Sequence, residues 1–130
     1  MEEQINHYQQ KLDFEWDAAD LFENLEESAH VIVVDTRKTF AYDLEHIPGA
    51  VNIPHRTMDR ARVAKLDKTA IYVCYCDGIG CNGSTKGALK MTQLGFKVRE
   101  LIGGLDWWKR DGYSTEGAEA VTGTEIQCAC

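Results

Sequence analysis

The sequence predicts an α/β domain with a mainly parallel sheet. Two short apolar runs, Val31–Val34 and Ala70–Tyr75, are rich in β-branched or aromatic residues, as is typical of strands buried on both faces. Segments with helical spacing alternate with these runs, the order expected for parallel strands joined by helical crossovers. A chain of 130 residues with 44% hydrophobic residues is sufficient for one domain with a real core.

The first part of the chain is predicted to form two helices before the first of these strands. Residues 2–12 are polar, which indicates a helix with little to bury. Asp17 has the pattern of an N-cap, because Asp20 follows as a weak capping-box partner. The helix that it opens carries an apolar stripe of Ala18, Leu21, Phe22 and Leu25.

The rest of the chain continues the alternation of helices and strands. The predicted elements are, in order, a strand at Val31–Val34, helix Thr39–Leu44, strand Val51–Ile53, helix Thr57–Leu66, strand Ala70–Tyr75, a helix from Ser84 that stops at Gly95, strand Lys97–Ile102 and helix Leu105–Arg110. Trp107 and Trp108 in the last helix are predicted to pack in the core and at its rim. The small, polar residues 116–130 predict a flexible tail.

The loop between the strand 70–75 and the next helix is the most informative segment for function. Cys76 follows the strand directly, where backbone N–H groups and a helix N-terminus converge, a setting that favours a thiolate and binds anions. Ligands of parallel sheets bind beyond the carboxyl ends of strands, where Asp35 and Cys76 both fall. The residues predicted to curl around the sulfur are Asp77, Gly78, Ile79, Gly80, Cys81, Asn82, Gly83 and Ser84.

Charge and composition exclude several classes of function. The net charge is −7, and the first 28 residues hold nine acids against one base, which argues against nucleic acid as a ligand. No apolar run reaches the length of about 18 residues that a membrane span needs. The acidic, polar N-terminus lacks a secretory pattern and predicts a cytoplasmic location. The mildly basic segment Arg56–Lys68 is a weak signal for guiding anionic substrates.

Four segments resemble the rhodanese-like sulfurtransferases in order and spacing. They are Val33–Arg37, His46–Pro54, Tyr75-Cys76 with its glycine-containing loop, and a closing segment that contains Leu94-Gly95-Phe96, Leu101-Ile102-Gly103-Gly104 and Trp108. The resemblance covers about residues 14–113 and implies a five-stranded parallel sheet flanked by helices on both faces. It divides the chain into an N-terminal polar helical extension (1–13), a rhodanese-like domain (14–115) and a flexible cysteine-containing tail (116–130).

The resemblance also implies an activity. Members of the family move sulfane sulfur from a donor such as thiosulfate or a persulfide to a thiol, a protein thiol or cyanide, and the matching position for the cysteine persulfide is Cys76. No cofactor, metal, nucleic acid or membrane partner is expected. The chain departs from the family in its slightly longer loop, in the absence of a loop arginine and in Glu45, which stands where glycine is usual.

Supporting roles are predicted for several neighbours of the loop. Asp35 and Arg37 are expected to pair beneath it, either to hold its base or as a purely structural pair, and Asp77 is expected to point outward. His46 is predicted to fix a turn. Ser84 is predicted to cap the helix, alone or while also donating to the persulfide.

The five cysteines leave several interpretations open. Cys74 is predicted to be a core residue. Cys81, or the tail residues Cys128 and Cys130, are candidates to resolve the persulfide or to protect Cys76 as a disulfide. These three thiols are also candidates for a soft-metal site, or they are incidental.

Two other functions compete with sulfur transfer. The first is a non-catalytic sulfur carrier or redox binding module, which would show slow turnover and a stable persulfide on Cys76. The second is a cysteine phosphatase or arsenate reductase, which needs an arginine to clamp the oxyanion. No arginine lies between Cys76 and Lys86, so this second alternative is disfavoured.

Overall fold

Five parallel strands form a single sheet in the order β1-β5-β4-β2-β3. The computed structural model describes residues 1–27 and 30–122. The strands are β1 Glu15–Trp16, β2 Val31–Asp35, β3 Val51–Asn52, β4 Ile71–Tyr75 and β5 Lys97–Leu101. The helices are α1 Glu2–Phe14, α2 Ala18–Glu27, α3 Thr39–Leu44, α4 Gly83–Gln93 and α5 Gly104–Arg110, with one 3₁₀ turn at His55–Thr57.

The strands β2 and β4 are buried on both faces because their side chains alternate between two core clusters. In β4, Val73 and Tyr75 contribute to one cluster, whereas Tyr72 and Cys74 contribute to the other. The first cluster is covered by α2 and α5, which supply Leu21 and Trp108 among others, and the second is covered by α4 through Met91. The predicted α/β class, with helices on both faces of a parallel sheet, is confirmed.

The register of β2 against β4 brings the candidate residues to one edge of the sheet. Asp35 pairs with Tyr75, so both strands end at the same level. The residue after β2, Thr36, donates its backbone N–H and its hydroxyl to the carbonyl of Tyr75, at 3.0 and 2.8 Å. Cys76 and Arg37 therefore leave the sheet side by side, at its carboxyl edge.

The start of the chain agrees with prediction and adds one strand. Asp17 and Asp20 form a reciprocal capping box, in which the Asp20 N–H donates to Asp17 Oδ1 at 2.8 Å and the Asp17 N–H donates to Asp20 Oδ2 at 3.1 Å. The sequence does not predict the strand β1, because two residues are too few to show a period. None of the residues of α1 is buried, and no described helix is long and apolar enough to cross a bilayer.

The prediction of a helix over Thr57–Leu66 is wrong. The chain forms the short 3₁₀ turn and then a series of tight turns. The Asp59 carboxylate accepts the backbone N–H of Arg62 at 2.8 Å, as an N-cap does, but the backbone bonds from Ala64 to Ala61 and from Leu66 to Val63 span three residues and close turns. The Arg62 side chain then donates to the carbonyl of Asn52, which holds the segment against the end of β3.

The first residues after Thr115, in the segment predicted as a tail, are hydrogen-bonded to the domain. Glu116 and His46 exchange both backbone hydrogen bonds, at 2.8 and 2.9 Å. The Glu119 N–H donates to the carbonyl of Leu44. Glu45, the residue that departs from the family pattern, accepts from the Thr115 hydroxyl and pairs with Lys109, both at 2.8 Å. Cys128 and Cys130 lie outside the described residues.

Candidate active site

The first turn of α5 fixes the beginning of the Cys76 loop. The carbonyls of Cys76 and Asp77 accept the backbone N–H groups of Leu105 and Asp106, at 3.0 and 2.8 Å. This contact needs glycine at 104, because a Cβ there would lie 2.3 Å from the Cys76 carbonyl oxygen and φ is +57°. The backbone that carries the sulfur is therefore held by both the sheet and a helix.

The sulfur of Cys76 lies against the first turn of α4. A Cβ at Gly83, the first residue of that helix, would come within 2.9 Å of the Cys76 Sγ. The N-terminus of a helix carries partial positive charge and unpaired N–H groups, which stabilise an anionic sulfur. Among the described residues, no hydrogen-bond acceptor pairs with the backbone N–H groups of Asp77, Gly78, Ile79, Gly80 or Asn82.

Cys76 and Cys81 are joined by a disulfide, and their Cα atoms lie 6.3 Å apart. Cys76 is nearly buried, with 6% of its surface exposed, whereas Cys81 is half-buried. Cys74 is fully buried in the core cluster between the sheet and α4, with its Sγ 3.9 Å from the sulfur of Met91. Burial, and then the charge of Glu100, raises the pKa of Cys74 to about 12, so this thiol stays protonated at neutral pH.

Arg37 connects the loop to the strand ends. Its guanidinium makes a bidentate pair with Asp35, with the shortest contact at 2.7 Å, and reaches Asp77 Oδ1 at 3.0 Å. It also donates to the carbonyl of Glu45 at 2.6 Å. Burial alone would lower the pKa of Arg37, but the hydrogen bonds and charge of Asp35 raise it, so the cation is permanent. Asp77 itself is mostly exposed, as predicted, but a carboxylate oxygen of Asp77 still lies within 4.8 Å of the Cys76 sulfur, and its charge is paired with Arg37.

Tyr75 completes this buried network, and sequence reasoning missed its role. Its hydroxyl donates to Asp35 Oδ2 at 2.7 Å and accepts the backbone N–H of Ile47 at 3.1 Å. Burial, with the charge of Asp35, raises the pKa of Tyr75 well above its ordinary value. The sequence places this ring only in an apolar strand, and nothing in the pattern marks its hydroxyl.

Ser84 does not cap α4 as predicted. The helix begins one residue earlier, after Asn82, so the Ser84 hydroxyl lies within the first turn. From there it donates to Glu100 Oε2 at 2.8 Å, and Thr85 donates to the same oxygen. His46, by contrast, contacts the carbonyl of Tyr42 through Nδ1 at 2.7 Å, a contact of the turn-fixing kind. Trp108 is buried, and Trp107 is 43% exposed at the rim.

Two cavities meet at the disulfide, one lined mainly by basic and the other by acidic side chains. The first, about 320 Å³, is lined by Cys76 and Cys81 together with Lys38, His55 and Arg56. Burial lowers the pKa of His55, and the nearby charges of Arg56, Lys86 and Lys90 lower it further. The second, about 210 Å³, lies on the other side of the loop and is lined by loop glycines with Glu15 and Glu100. The two cavities therefore differ in the charge of their linings, the first basic and the second acidic.

Cys76, Asp77 and Cys81 also place three donor atoms within 4.8 Å of one another. Two of the three atoms are the sulfurs of the disulfide, which carry no thiolate for a metal ion. The soft-metal alternative that adds Cys128 and Cys130 falls partly outside the described residues.

Known proteins share both the sequence and the fold of this chain. Residues 17–111 match the family described as the Rhodanese-like domain. The thiosulfate sulfurtransferase GlpE of Pseudomonas fluorescens is 36% identical over 90 residues, covering 68% of this chain and 78% of the relative. An HTH-type transcriptional regulator of Mycobacterium tuberculosis is 33% identical over 93 residues, and the match spans 71% of this chain but only 41% of that longer protein.

Solved structures agree. The BH2092 protein of Bacillus halodurans superposes with a TM-score of 0.88 at 37% identity, over 98% of this chain and 94% of that one. A rhodanese-related protein of Thermoplasma volcanium gives a TM-score of 0.69 at 27% identity, over 79% of this chain and 97% of that one. On the sequence match and the shared fold, this chain belongs to the rhodanese-like domain family.

Proposed function

We propose that the protein is a sulfurtransferase, which moves sulfane sulfur from an anionic donor such as thiosulfate to a thiol or cyanide through a persulfide on Cys76. The observation that carries this proposal is the position of the Cys76 sulfur against the first turn of α4. The names of the Pseudomonas relatives, thiosulfate sulfurtransferases, support the choice of donor. We place the activity in the cytoplasm, where cellular thiols keep cysteines reduced.

The first half of the reaction requires the reduced form of the loop. The Cys76 thiolate attacks the outer sulfur of thiosulfate, the S–S bond of the donor breaks, and sulfite leaves with its electron pair. The helix N-terminus beside the sulfur contributes about 0.3–1 kcal/mol to an anion there. Because the loop holds no arginine, its backbone N–H groups must supply the rest of the stabilisation.

The second half returns the enzyme to its starting state. A thiol or cyanide attacks the outer sulfur of the persulfide, and the bond to Cys76 Sγ breaks to regenerate the thiolate. Cys76 is only 6% exposed, so the acceptor must reach it through one of the two cavities. The basic cavity suits small anions such as cyanide and thiosulfate.

The test is the rate of thiocyanate formation from thiosulfate and cyanide by protein reduced beforehand. Cys76→Ser should abolish this rate, because a serine hydroxyl is not ionised and forms no persulfide. Cys74→Ala is the matched control, because it removes a thiol of the core between the sheet and α4. It should cost on the order of 1 kcal/mol of core packing and keep the rate of thiocyanate formation. Activity of Cys76→Ser within a few-fold of the wild type would overturn the proposal.

The two alternative functions have weaker support. An oxyanion-cleaving phosphatase would need a free arginine at the sulfur, but Arg37 is committed to Asp35 and Asp77. A passive sulfur carrier would accept sulfur on Cys76 but pass it to cyanide only slowly. The same thiocyanate measurement separates this alternative from an enzyme.

A further inference from the structure

The loop of Cys76 holds a second thiol that the proposed reaction does not use. Cys81 is bonded to Cys76 in the structure, and only five positions separate the two residues. The Cys81 N–H donates to the carbonyl of Gly78 at 3.2 Å, so a tight turn brings the second sulfur back to the first. Closing so short a loop costs little chain entropy.

We propose that Cys81 resolves the persulfide on Cys76, so that the protein releases the transferred sulfur as hydrosulfide and ends each turnover as the Cys76–Cys81 disulfide. This inference rests on the proposed function, because it requires a persulfide on Cys76. It identifies the nucleophile that displaces the transferred sulfur as a residue of the loop itself. It also identifies the second substrate as an external dithiol, which must reduce the disulfide before the next cycle.

The chemical step is balanced without any further reactant. The sulfur of Cys81 attacks the inner sulfur, Cys76 Sγ, and a new S–S bond forms between the two residues. The bond from Cys76 Sγ to the outer sulfur breaks, and that sulfur takes the electron pair and the proton of the Cys81 thiol to leave as HS⁻. The sulfane sulfur is reduced by two electrons, and the two cysteine thiols are oxidised to one disulfide.

No other described thiol is placed for this role. Cys74 lies in the cluster behind the sheet, is fully buried and has its pKa raised to about 12 by burial. Cys81 is half-buried and lines both cavities that meet at Cys76. An external dithiol therefore reaches Cys81 more readily than Cys76, and its attack on Cys81 sets free the Cys76 thiolate.

A single-turnover experiment without any external acceptor tests this inference. Fully reduced protein, freed of reductant under anaerobic conditions, is mixed with excess thiosulfate, and sulfite, sulfide and remaining thiols are measured. The wild type should yield one sulfite and one sulfide per chain, with the loss of two thiols. Cys81→Ser should still yield sulfite but no sulfide, and its sulfur should stay on Cys76 until cyanide removes it.

The outcomes separate this inference from the proposed function. Sulfite without sulfide from the wild type, with a lasting persulfide, would overturn resolution by Cys81 and leave sulfur transfer intact. No sulfite from either protein would overturn both. A double variant, Cys128→Ser with Cys130→Ser, should behave as the wild type; if it loses sulfide release, the tail is the resolving element and the assignment to Cys81 is wrong.

A second measurement covers the case in which Cys81→Ser does not fold. Peptide mapping of the wild type after the same turnover should find the new disulfide between Cys76 and Cys81. A disulfide that joins Cys76 to any other cysteine would contradict the inference.

Discussion

Arg37 is the single residue on which the geometry of the loop base depends most. Its guanidinium bonds to a buried carboxylate at the end of β2, to Asp77 at the start of the loop and to a carbonyl after α3. The side chains of Arg37 and Asp35 are 8% and 0% exposed, so neither charge has water as an alternative partner. Removing one partner of such a pair is far more costly than the pair itself is stabilising.

Replacing this arginine should therefore destabilise the fold and the site together. We expect Arg37→Gln to lower the free energy of unfolding by about 3 kcal/mol, as is usual when a buried charge loses its partner. Urea denaturation provides the measurement. Arg110→Gln is the matched control, because its pair with Asp106 is more than half exposed and should cost at most about 1 kcal/mol. Equal losses in the two variants would show that the Arg37 network is not a structural centre.

Cys74 gives the protein a defined sensitivity to alkaline pH. Burial, and then the charge of Glu100, raises its pKa from 9.0 to about 12 in the folded state. Between these pH values the unfolded chain releases a proton that the folded chain retains, so folding stability falls as pH rises. For one thiol the slope approaches about 1.4 kcal/mol per pH unit.

This slope is measurable by comparison with Cys74→Ala, which has no thiol to titrate there. Below about pH 8 the wild type should be the more stable protein, because the variant leaves a small cavity. The difference in unfolding free energy should shrink and then reverse as pH rises from about 9 toward 11. A difference that stays constant over this range would mean that the buried thiol is not shifted.

At the scale of elements, the site depends on how the first turn of α5 docks onto the Cys76 loop. Two N–H groups of the turn satisfy two loop carbonyls, and Gly104 allows the backbones to approach. Gly49 provides a natural comparison, because its φ is also positive, +78°, but a Cβ there meets nothing within 4 Å. A side chain would strain the backbone at both positions, but only at Gly104 would it also collide with a neighbouring segment.

Alanine at these two glycines should therefore have unequal effects. Gly49→Ala should cost about 1–2 kcal/mol, the penalty of a left-handed backbone. Gly104→Ala has the same penalty and also displaces α5 from the loop, so it should lose more stability and most of its thiocyanate-forming activity. Thermal unfolding and the turnover rate are the two measurements. If both variants behave alike, the docking of α5 does not position Cys76.

The elements that sequence reasoning predicted well are those with strong local signals. The buried strands β2 and β4 have long β-branched or aromatic runs, and α2 has a capping box. The strand β1 has only two residues, and it exists because Glu15 and Trp16 pair with the end of β5. The segment 57–66 has helical spacing, but its backbone bonds close three-residue turns, and the Arg62 side chain holds it to the carbonyl of Asn52.

The features of the site also differ in whether a local sequence signal predicts them. The position of Cys76 follows from the strand and the glycine-rich loop, and the Asp35–Arg37 pair follows from the strand end. The hydroxyl bond of Tyr75 and the contact of Ser84 with Glu100 depend on which strands become neighbours. Such contacts between distant parts of the chain have no local signal.

At the scale of the whole molecule, charge is separated between the two approaches to the sulfur. The basic cavity is lined by Lys38 and Arg56, and neither cation has an ion pair among the described residues. The opposite cavity is lined by Glu15 and Glu100. In a chain of net charge −7, we expect this local positive surface to be the route for the anionic donor of the proposed reaction.

Reversing one of these cations should weaken donor binding more than turnover. We expect Arg56→Glu to raise the KM for thiosulfate several-fold, with a smaller change in kcat and a weaker effect at high salt. Lys97→Glu is the matched control, because it makes the same charge change at the first residue of β5, at the amino edge of the sheet and away from Cys76. Similar KM values for both variants would indicate that net charge, rather than the basic cavity, controls donor binding.

The most direct test of sulfur transfer through Cys76 is fragment-level mass spectrometry of reduced protein after treatment with thiosulfate. The measurement is best made on Cys81→Ser, in which the inferred resolving thiol is absent and the product should persist. Sulfur transfer through Cys76 predicts the added mass of one sulfur atom, located on Cys76 and removed by cyanide. Unmodified Cys76, or added sulfur on another cysteine alone, would contradict it.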